Sequence, residues 1–371
     1  MVVAEYTLGG GTGTYTRNLL DLLVRHGADV TLVSGNATQV DDFERLSDGP
    51  EVSFVAMQAN AKPVGMSSRG FLRPLRGTDA ALYKRYVLGE IAQLRDIDTV
   101  ITSVGTPGAL LWATDTRRRS IYLLHTYPHG FRVKLRPTCL RSSPLPPSTQ
   151  LVTVSDSARR ETCRAWNIPR SHCEVILSSA GQVLEQKPSP RSPQTILTVG
   201  HVERHKNPRM WIRVAAEVLR RPGFEDTRFV WLGEGSQLAE CRSRVRDLGL
   251  SGRVMFEGFK ENVDVYYGEA SIYAQLSSVE SLGLGVLDAA RRGIPQVVTA
   301  VGGLTEVVAN GVSGLVVRQR DWMAAADAVV WLLRNTEERL AMGQRSATRY
   351  ASIFSPETWE HNWLAMLSAS E

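Results

Sequence analysis

The stretch Ser277-Ser278-Val279-Glu280-Ser281-Leu282-Gly283-Leu284-Gly285-Val286-Leu287-Asp288-Ala289-Ala290-Arg291-Arg292-Gly293-Ile294-Pro295 decides the fold. It reads as a strand end, a carboxylate, a glycine-bearing turn, a helix starting near Leu284 and a stop at Gly293-Ile294-Pro295. Gln296–Thr299 follows at once as a new strand. A helix entered from one strand and left into another is the unit of a parallel sheet, because parallel strands need a crossover connection.

The same alternation recurs outward from it. Toward the N-terminus, Ile272–Ala274, Val254–Phe256, Arg228–Leu232 and Ile196–Val199 read as strands. Further back lie Leu151–Val154, Ile121–Leu124 and Thr99–Thr102. At the start, Val2–Ala4 is a short strand, Gly9–Gly13 a turn, and Tyr15–Arg25 a helix with Leu19, Leu20, Leu22 and Leu23 on its apolar face. Gly27 ends that helix and Val30–Val33 is the next strand. The segment Lys187-Pro188-Ser189-Pro190-Arg191-Ser192-Pro193 interrupts the pattern and reads as an extended linker. The expectation is an α/β chain of two Rossmann-like doubly wound domains, 1–186 and 194–354, joined by linker 187–193. Ligands in such sheets bind beyond the carboxyl ends of the strands, so the cleft between the domains is the expected site. Residues 58–80 and 131–149, rich in Pro, Ser, Gly and Arg, read as long loops at the mouth of the first domain.

Composition narrows the class. At 371 residues, 43% hydrophobic and 22% charged, the chain is long enough for two cores and too apolar to be disordered. A net charge of +5 without a concentrated basic patch excludes a nucleic-acid binder. Six of the 43 basic residues are Lys, the skew of a GC-rich coding sequence, which points to a bacterial source. No stretch approaches the roughly 18 apolar residues that span a bilayer, and Met1-Val2-Val3-Ala4-Glu5 does not read as a signal peptide. Cys139, Cys163, Cys173 and Cys241 form no Cys-x-x-Cys pair, which fits a reducing cytoplasm. The basic loop residues Arg69, Arg73, Arg76, Arg132, Lys134 and Arg136 read as solvated charge, so any membrane contact is peripheral.

The chemistry centres on the opening stretch. A helix N-terminus approached through small residues presents free N–H groups and the positive dipole end, which favours a phosphate. Glu280 lies before that site, and Asp288 lies about one turn after Leu284 on the same helix face. One carboxylate is placed for a sugar hydroxyl on one side of a diphosphate, the other for a ribose hydroxyl on the far side.

This segment resembles the Glu-x7-Glu signature of retaining glycosyltransferase family 4, the group 1 transferases, which have the GT-B fold of two Rossmann-like domains. Gly293 to Val308 and Asn310-Gly311-Val312-Ser313-Gly314-Leu315 continue the family pattern. Val199-Gly200-His201-Val202-Glu203-Arg204-His205-Lys206-Asn207 resembles the segment whose basic pair grips the donor diphosphate. Lys206 matches the lysine. His201 stands where arginine is usual, exchanging a permanent bidentate cation for a group mostly neutral at pH 7. Leu232-Gly233-Glu234-Gly235 and Phe256-Glu257-Gly258-Phe259 also fit, the latter lying near the nucleotide base in the family. Gly10-Gly11-Thr12-Gly13 resembles the family's Gly-Gly loop, and His125 the histidine beside the donor sugar. Ser178-Ser179-Ala180-Gly181 departs from a usual Asn-Gly pair, and Asp288 from the second glutamate.

Other motifs are set aside. His201 and His205 are four apart but lack a third ligand, and Asp96-Ile97-Asp98 is ordinary topology before a strand, so no metal site is expected. Glycines 11 and 13 are not followed by the third of a dinucleotide fingerprint, and His129 has no motif behind it.

The resemblance implies a retaining, metal-independent hexosyltransferase without cofactor. It would move a sugar from a nucleotide-sugar donor, a UDP-sugar, to a hydroxyl acceptor such as a cyclitol, aminocyclitol or other natural-product scaffold. His125, Glu280 and Lys206 are the implied catalytic residues. Gly10, Gly11, His201, Arg204, Lys206, Gly258, Phe259, Glu280, Gly283, Leu284, Gly285 and Asp288 are the implied donor contacts. The C-terminal helix, 355–371, is expected to return to the first domain. A nucleotide-sugar epimerase or phosphorylase, or a non-catalytic sugar-nucleotide binder, are the rival readings.

Overall fold

In the computed structural model the apolar runs become thirteen strands among the described residues, arranged as two parallel sheets. The structure describes residues 1–5, 10–34, 53–56, 98–103, 119–126, 148–184 and 194–368. Cys139, His129, Asp96, Ile97, the six basic loop residues, loop 58–80, nearly all of loop 131–149, linker 187–193 and the last three residues lie outside them. The chain divides into two compact units, Met1–Ile176 and Leu177–Glu371.

The first unit runs β1 (Val2–Glu5), α1 (Gly10–Arg25), β2 (Thr31–Ser34), β3 (Ser53–Ala56), β4 (Thr99–Ser103), β5 (Arg119–Leu124), β6 (Thr149–Thr153), α2 (Asp156–Trp166) and β7 (Cys173–Val175). Its sheet has the order β3-β2-β1-β4-β5-β6-β7. The glycine run expected as a turn is instead helical, since α1 begins at Gly10. Glycine is a poor helix former, but Leu19, Leu20, Leu22 and Leu23 are buried, and burial of such a face outweighs intrinsic propensity. Gly27 ends the helix at φ 79°. Helix α2 is fixed locally: the Ser155 hydroxyl accepts from Ala158 N at 3.0 Å, and Asn167 closes the helix in the left-handed region.

The second unit runs β8 (Thr195–Val199), α3 (Pro208–Arg220), β9 (Arg228–Leu232), α4 (Leu238–Asp247), β10 (Val254–Gly258), α5 (Asp264–Glu269) and β11 (Ala270–Gln275). It continues with α6 (Leu284–Arg291), β12 (Gln296–Thr299), α7 (Leu304–Val307), β13 (Gly314–Val317), α8 (Trp322–Arg334), α9 (Thr336–Ile353) and α10 (Pro356–Ser368). The sheet order is β10-β9-β8-β11-β12-β13. Its core is apolar and aromatic, with the Trp211 ring edge-on to Phe229, Trp231 and Phe256 at 5.3–5.5 Å. In both sheets the strand order reverses beside the unit's first strand, between β1 and β4 and between β8 and β11. That reversal is where doubly wound sheets open a crevice for ligands.

Strand β11 is buried on both faces and treats them differently. Ile272, Ala274 and Leu276 enter the apolar core. With the period of two along a strand, Tyr273, Gln275 and Ser277 take the other face, and all three are buried too.

Candidate active site

The chain leaving β8 turns at Gly200, forms a tight helical turn over Arg204–Lys206 and enters α3 through Asn207, which sits at φ 56°. The chain leaving β11 runs through Ser277 to Glu280 and enters α6 at Gly283. His205 ties the two segments together, its carbonyl accepting from Ser278 N at 2.7 Å and Ser278 Oγ at 3.0 Å. This brings Lys206 and Glu280 side by side. Lys206 Nζ donates to Glu280 Oε2 at 2.5 Å, with side chains only 16% and 13% exposed. A pair so enclosed is little screened, and removing one partner strands the other charge.

Helix α6 begins where a side chain cannot fit. Gly283, its first cap, has φ 97°, and a Cβ there would lie 2.7 Å from Leu304 Cδ2. A Cβ on Gly285 would lie 2.1 Å from the Tyr273 hydroxyl and 3.0 Å from the Val199 carbonyl. The helix N-terminus is thereby seated directly against the end of β8, with Tyr267 OH donating to Gly285 O at 3.2 Å. Leu284 is partly exposed at the first turn. The first N–H groups of a helix have no partner within it, so this end offers donors to an anion.

Asp288, one turn on, is held by two arginines. Its Oδ1 accepts from Arg291 Nε at 2.5 Å and from Arg292, which also reaches Asp264 and lies over the Tyr267 ring at 4.6 Å. His201 is exposed and makes no ion pair among the described residues. Nearby, burial pushes the Glu203 carboxyl up, but hydrogen bonds from the Ser236 hydroxyl and N–H outweigh it. The neighbouring His205 and His201 add to them and hold Glu203 below its ordinary range. Arg204 lines a cavity of about 610 Å³ with Arg209, Arg320 and Ser278. At the end of β10, Gly258 turns at φ 77° and its carbonyl accepts from Gly233 N at 2.7 Å, leaving Phe259 70% exposed.

In the first unit, His125 follows β5, and its ring stands edge-on to Tyr15 of α1 at 4.9 Å. Burial lowers the imidazole to about 4, so the ring is neutral at pH 7. Gly10 and Gly11 form the first turn of α1.

Residues 182–349 match the family model described as glycosyl transferases group 1, and residues 9–178 match that of glycosyltransferase family 4. The chain belongs to the group 1 glycosyltransferases. The D-inositol 3-phosphate glycosyltransferase of Corynebacterium urealyticum is 34% identical over 180 residues, 46% of this chain and 41% of that one. The N-acetyl-alpha-D-glucosaminyl L-malate synthase of Bacillus anthracis is 31% identical over 132 residues, 36% of this chain and 35% of that one. The matched part is thus well under half of either relative. Anabaena HepE, solved in complex with UDP and glucose, superposes with a TM-score of 0.76 over 99% of both chains at 16% identity. The fold is accordingly GT-B, as the resemblance implies.

For a group 1 family member, reasoning from sequence locates the strand ends and misses what lies beneath them. The buried polar side chains Tyr273, Gln275 and Ser277 behind Glu280 are absent from the predicted site. The signal was present as polar residues at alternate positions of a strand flanked by Ile272, Ala274 and Leu276. The altered segment 178–181 acquires a structural reading: the Tyr350 hydroxyl donates to Gly181 O at 2.6 Å and accepts from Ala180 N at 2.9 Å. No group of three or more potential metal ligands occurs among the described residues, and no described helix is long and apolar enough to cross a membrane.

Proposed function

We propose that the protein transfers a hexosyl group from a nucleotide-sugar donor, a UDP-sugar, to a hydroxyl of a small acceptor, with retention at the anomeric carbon. The observation that carries this reading is the enclosed Lys206–Glu280 pair at the carboxyl ends of β8 and β11, beside the open N-terminus of α6. Lys206, with His201 or Arg204, neutralises the leaving diphosphate, and the first N–H groups of α6 add fixed dipoles. These protein groups do the work that a metal ion does in other transferases. Glu280 takes a hydroxyl of the donor sugar and Asp288 one of the ribose. Gly258 and Phe259 flank the base, and the family resemblance assigns His125, neutral, a role toward the donor sugar.

The bond between the anomeric carbon and the phosphate oxygen breaks, and the acceptor oxygen bonds to that carbon on the same face. The acceptor proton passes to the departing phosphate oxygen, so the nucleoside diphosphate leaves and no protein base is consumed. The names of two relatives support this acceptor class: one is named for D-inositol 3-phosphate and one for L-malate, both small hydroxylated molecules. A cyclitol or aminocyclitol is the acceptor this reading favours.

The test is a thermal-shift panel of UDP, GDP, dTDP and ADP, alone and as sugar conjugates, with NAD and NADP as controls. A ligand at about 100 times its Kd stabilises by about 2.7 kcal/mol. A response to one nucleotide series names the donor; a response to NAD or NADP alone ends the transferase reading. Glu280→Ala then separates enzyme from binding module, since an enzyme loses turnover while keeping nucleotide affinity.

A further inference from the structure

Strand β11 carries polar side chains where a strand covered on both faces ordinarily carries apolar ones. Tyr273, Gln275 and Ser277 are 0%, 2% and 0% exposed, and polar groups are tolerated at such depth only when they find partners. They find one another. Val199 N donates to the Tyr273 hydroxyl at 3.2 Å, and that hydroxyl lies 3.2 Å from Gln275 Oε1. Gln275 Nε2 donates to Ser277 Oγ at 2.7 Å, and Ser277 Oγ donates to Glu280 Oε2 at 3.3 Å. A serine that gives its proton to a carboxylate must accept at its own oxygen, so the glutamine amide has one permitted orientation. The donors of Gln275 and Ser277 therefore point along the chain toward Glu280, while the Tyr273 hydroxyl has the Val199 carbonyl, at 3.1 Å, as a second acceptor.

Oε2 thus receives two donors, Ser277 from below and Lys206 at 2.5 Å, while Oε1 receives neither. One contact would leave the carboxylate free to turn about it; two donors on the same oxygen restrict the plane. In so enclosed a setting these contacts face little competition from water. The backbone of Ser277 is held separately, its carbonyl accepting from Thr299 Oγ1 at 2.7 Å, so the hydroxyl is not needed to hold the chain.

We infer that Gln275 and Ser277 are positioning residues for Glu280: together with Lys206 they fix Oε2 and reserve Oε1 as the acceptor for a hydroxyl of the donor sugar. This rests on reading Glu280 as the sugar-binding carboxylate. Ser277→Ala, Ser277→Thr and Gln275→Met test it. With the sugar nucleotide that stabilises the wild type, release of nucleoside diphosphate through donor hydrolysis gives kcat, and titration with the nucleoside diphosphate alone gives its Kd. Ser277→Ala and Gln275→Met are expected to lower kcat about tenfold or more, the worth of a hydrogen bond to a charged group. The Kd for the nucleoside diphosphate is expected to stay within about twofold, and Ser277→Thr to restore the rate. Loss of stability and nucleotide affinity in step with kcat, or no change in kcat, overturns the inference.

Crystal structures of the same variants decide independently of any ligand. The Glu280 carboxylate should rotate or occupy more than one rotamer in Ser277→Ala and Gln275→Met, and an unmoved carboxylate overturns the inference. If the wild type binds no sugar nucleotide, the donor reading fails, while the rotation still decides whether these residues position Glu280.

Discussion

The two sheets share an order and differ in what they hold at their strand ends. In the first unit the end of β5 presents His125, a ring kept neutral by burial against Tyr15. In the second, the ends of β8 and β11 present Lys206 and Glu280, a close ion pair backed by buried polar side chains. One scaffold therefore supplies an uncharged end and a charged end. Under the proposed function the neutral ring would meet hydroxyl groups of a sugar or acceptor, and the pair an anion with a hydroxylated group attached. The difference arises from the segments that follow single strands rather than from topology.

The largest way to break the comparison is to discharge the second end. Lys206→Ala should lower turnover about 100-fold or more, the scale of losing one preorganised electrostatic contact. It should also cost about 3 kcal/mol of stability by stranding Glu280. Denaturant titration should find the double variant Lys206→Ala/Glu280→Ala more stable than Lys206→Ala; equal or lower stability would show the pair to be exposed in solution.

Glycines sharpen the comparison next. Gly285→Ala forces a methyl onto the Tyr273 hydroxyl and the Val199 carbonyl, an overpacking expected to cost about 2 kcal/mol. Gly27→Ala in the first unit meets nothing within 4 Å, so only its φ of 79° is penalised, by about 1 kcal/mol. Melting curves that rank them the other way would deny that α6 is seated against β8 and β11.

A pH titration separates the two ends again. The usual imidazole value of 6.5 falls to about 4 for folded His125 because burial disfavours the charged form. Between those values the unfolded chain binds the extra proton, so stability rises with pH. The contribution is complete above pH 6.5, declines as pH falls toward 4, and changes no further below. His125→Asn should flatten that part of the melting-temperature profile; an unaltered profile would mean the ring is solvated.

The smallest effect concerns thiols. Burial pushes Cys173 up to about 12 and Cys241 up to about 11, and raises Cys163. At pH 8 iodoacetamide should leave all three unmodified in the folded protein and label them after unfolding.

The turn after β11 was legible because its signals are local: a carboxylate, glycines with no room for a Cβ, and Gly293-Ile294-Pro295 ending the helix. The strand alternation was legible for the same reason. Helix α1 reaching back to Gly10 was not, because burial of Leu19 and Leu23 overrides the preference of the glycines near its start. Nor was the seizure of Asp288 by Arg291 and Arg292, since it depends on side-chain directions that spacing does not fix. Strands β3 and β7 are short and become strands through their pairing with β2 and β6.

Beneath the loop that carries His201 and Lys206 lies an indole. Trp231 Nε1 donates to the Gly200 carbonyl at 2.8 Å, and its ring stacks on Phe256 at 5.6 Å. The emission of that tryptophan is therefore coupled to the first residue of the loop. An anion that draws the loop toward itself will shift the fluorescence, and the difference between the wild type and Trp231→Phe isolates the signal. Such a shift on adding a nucleotide, lost in Trp231→Phe, would make this indole an optical gauge of occupancy, readable without a label and without knowing the acceptor.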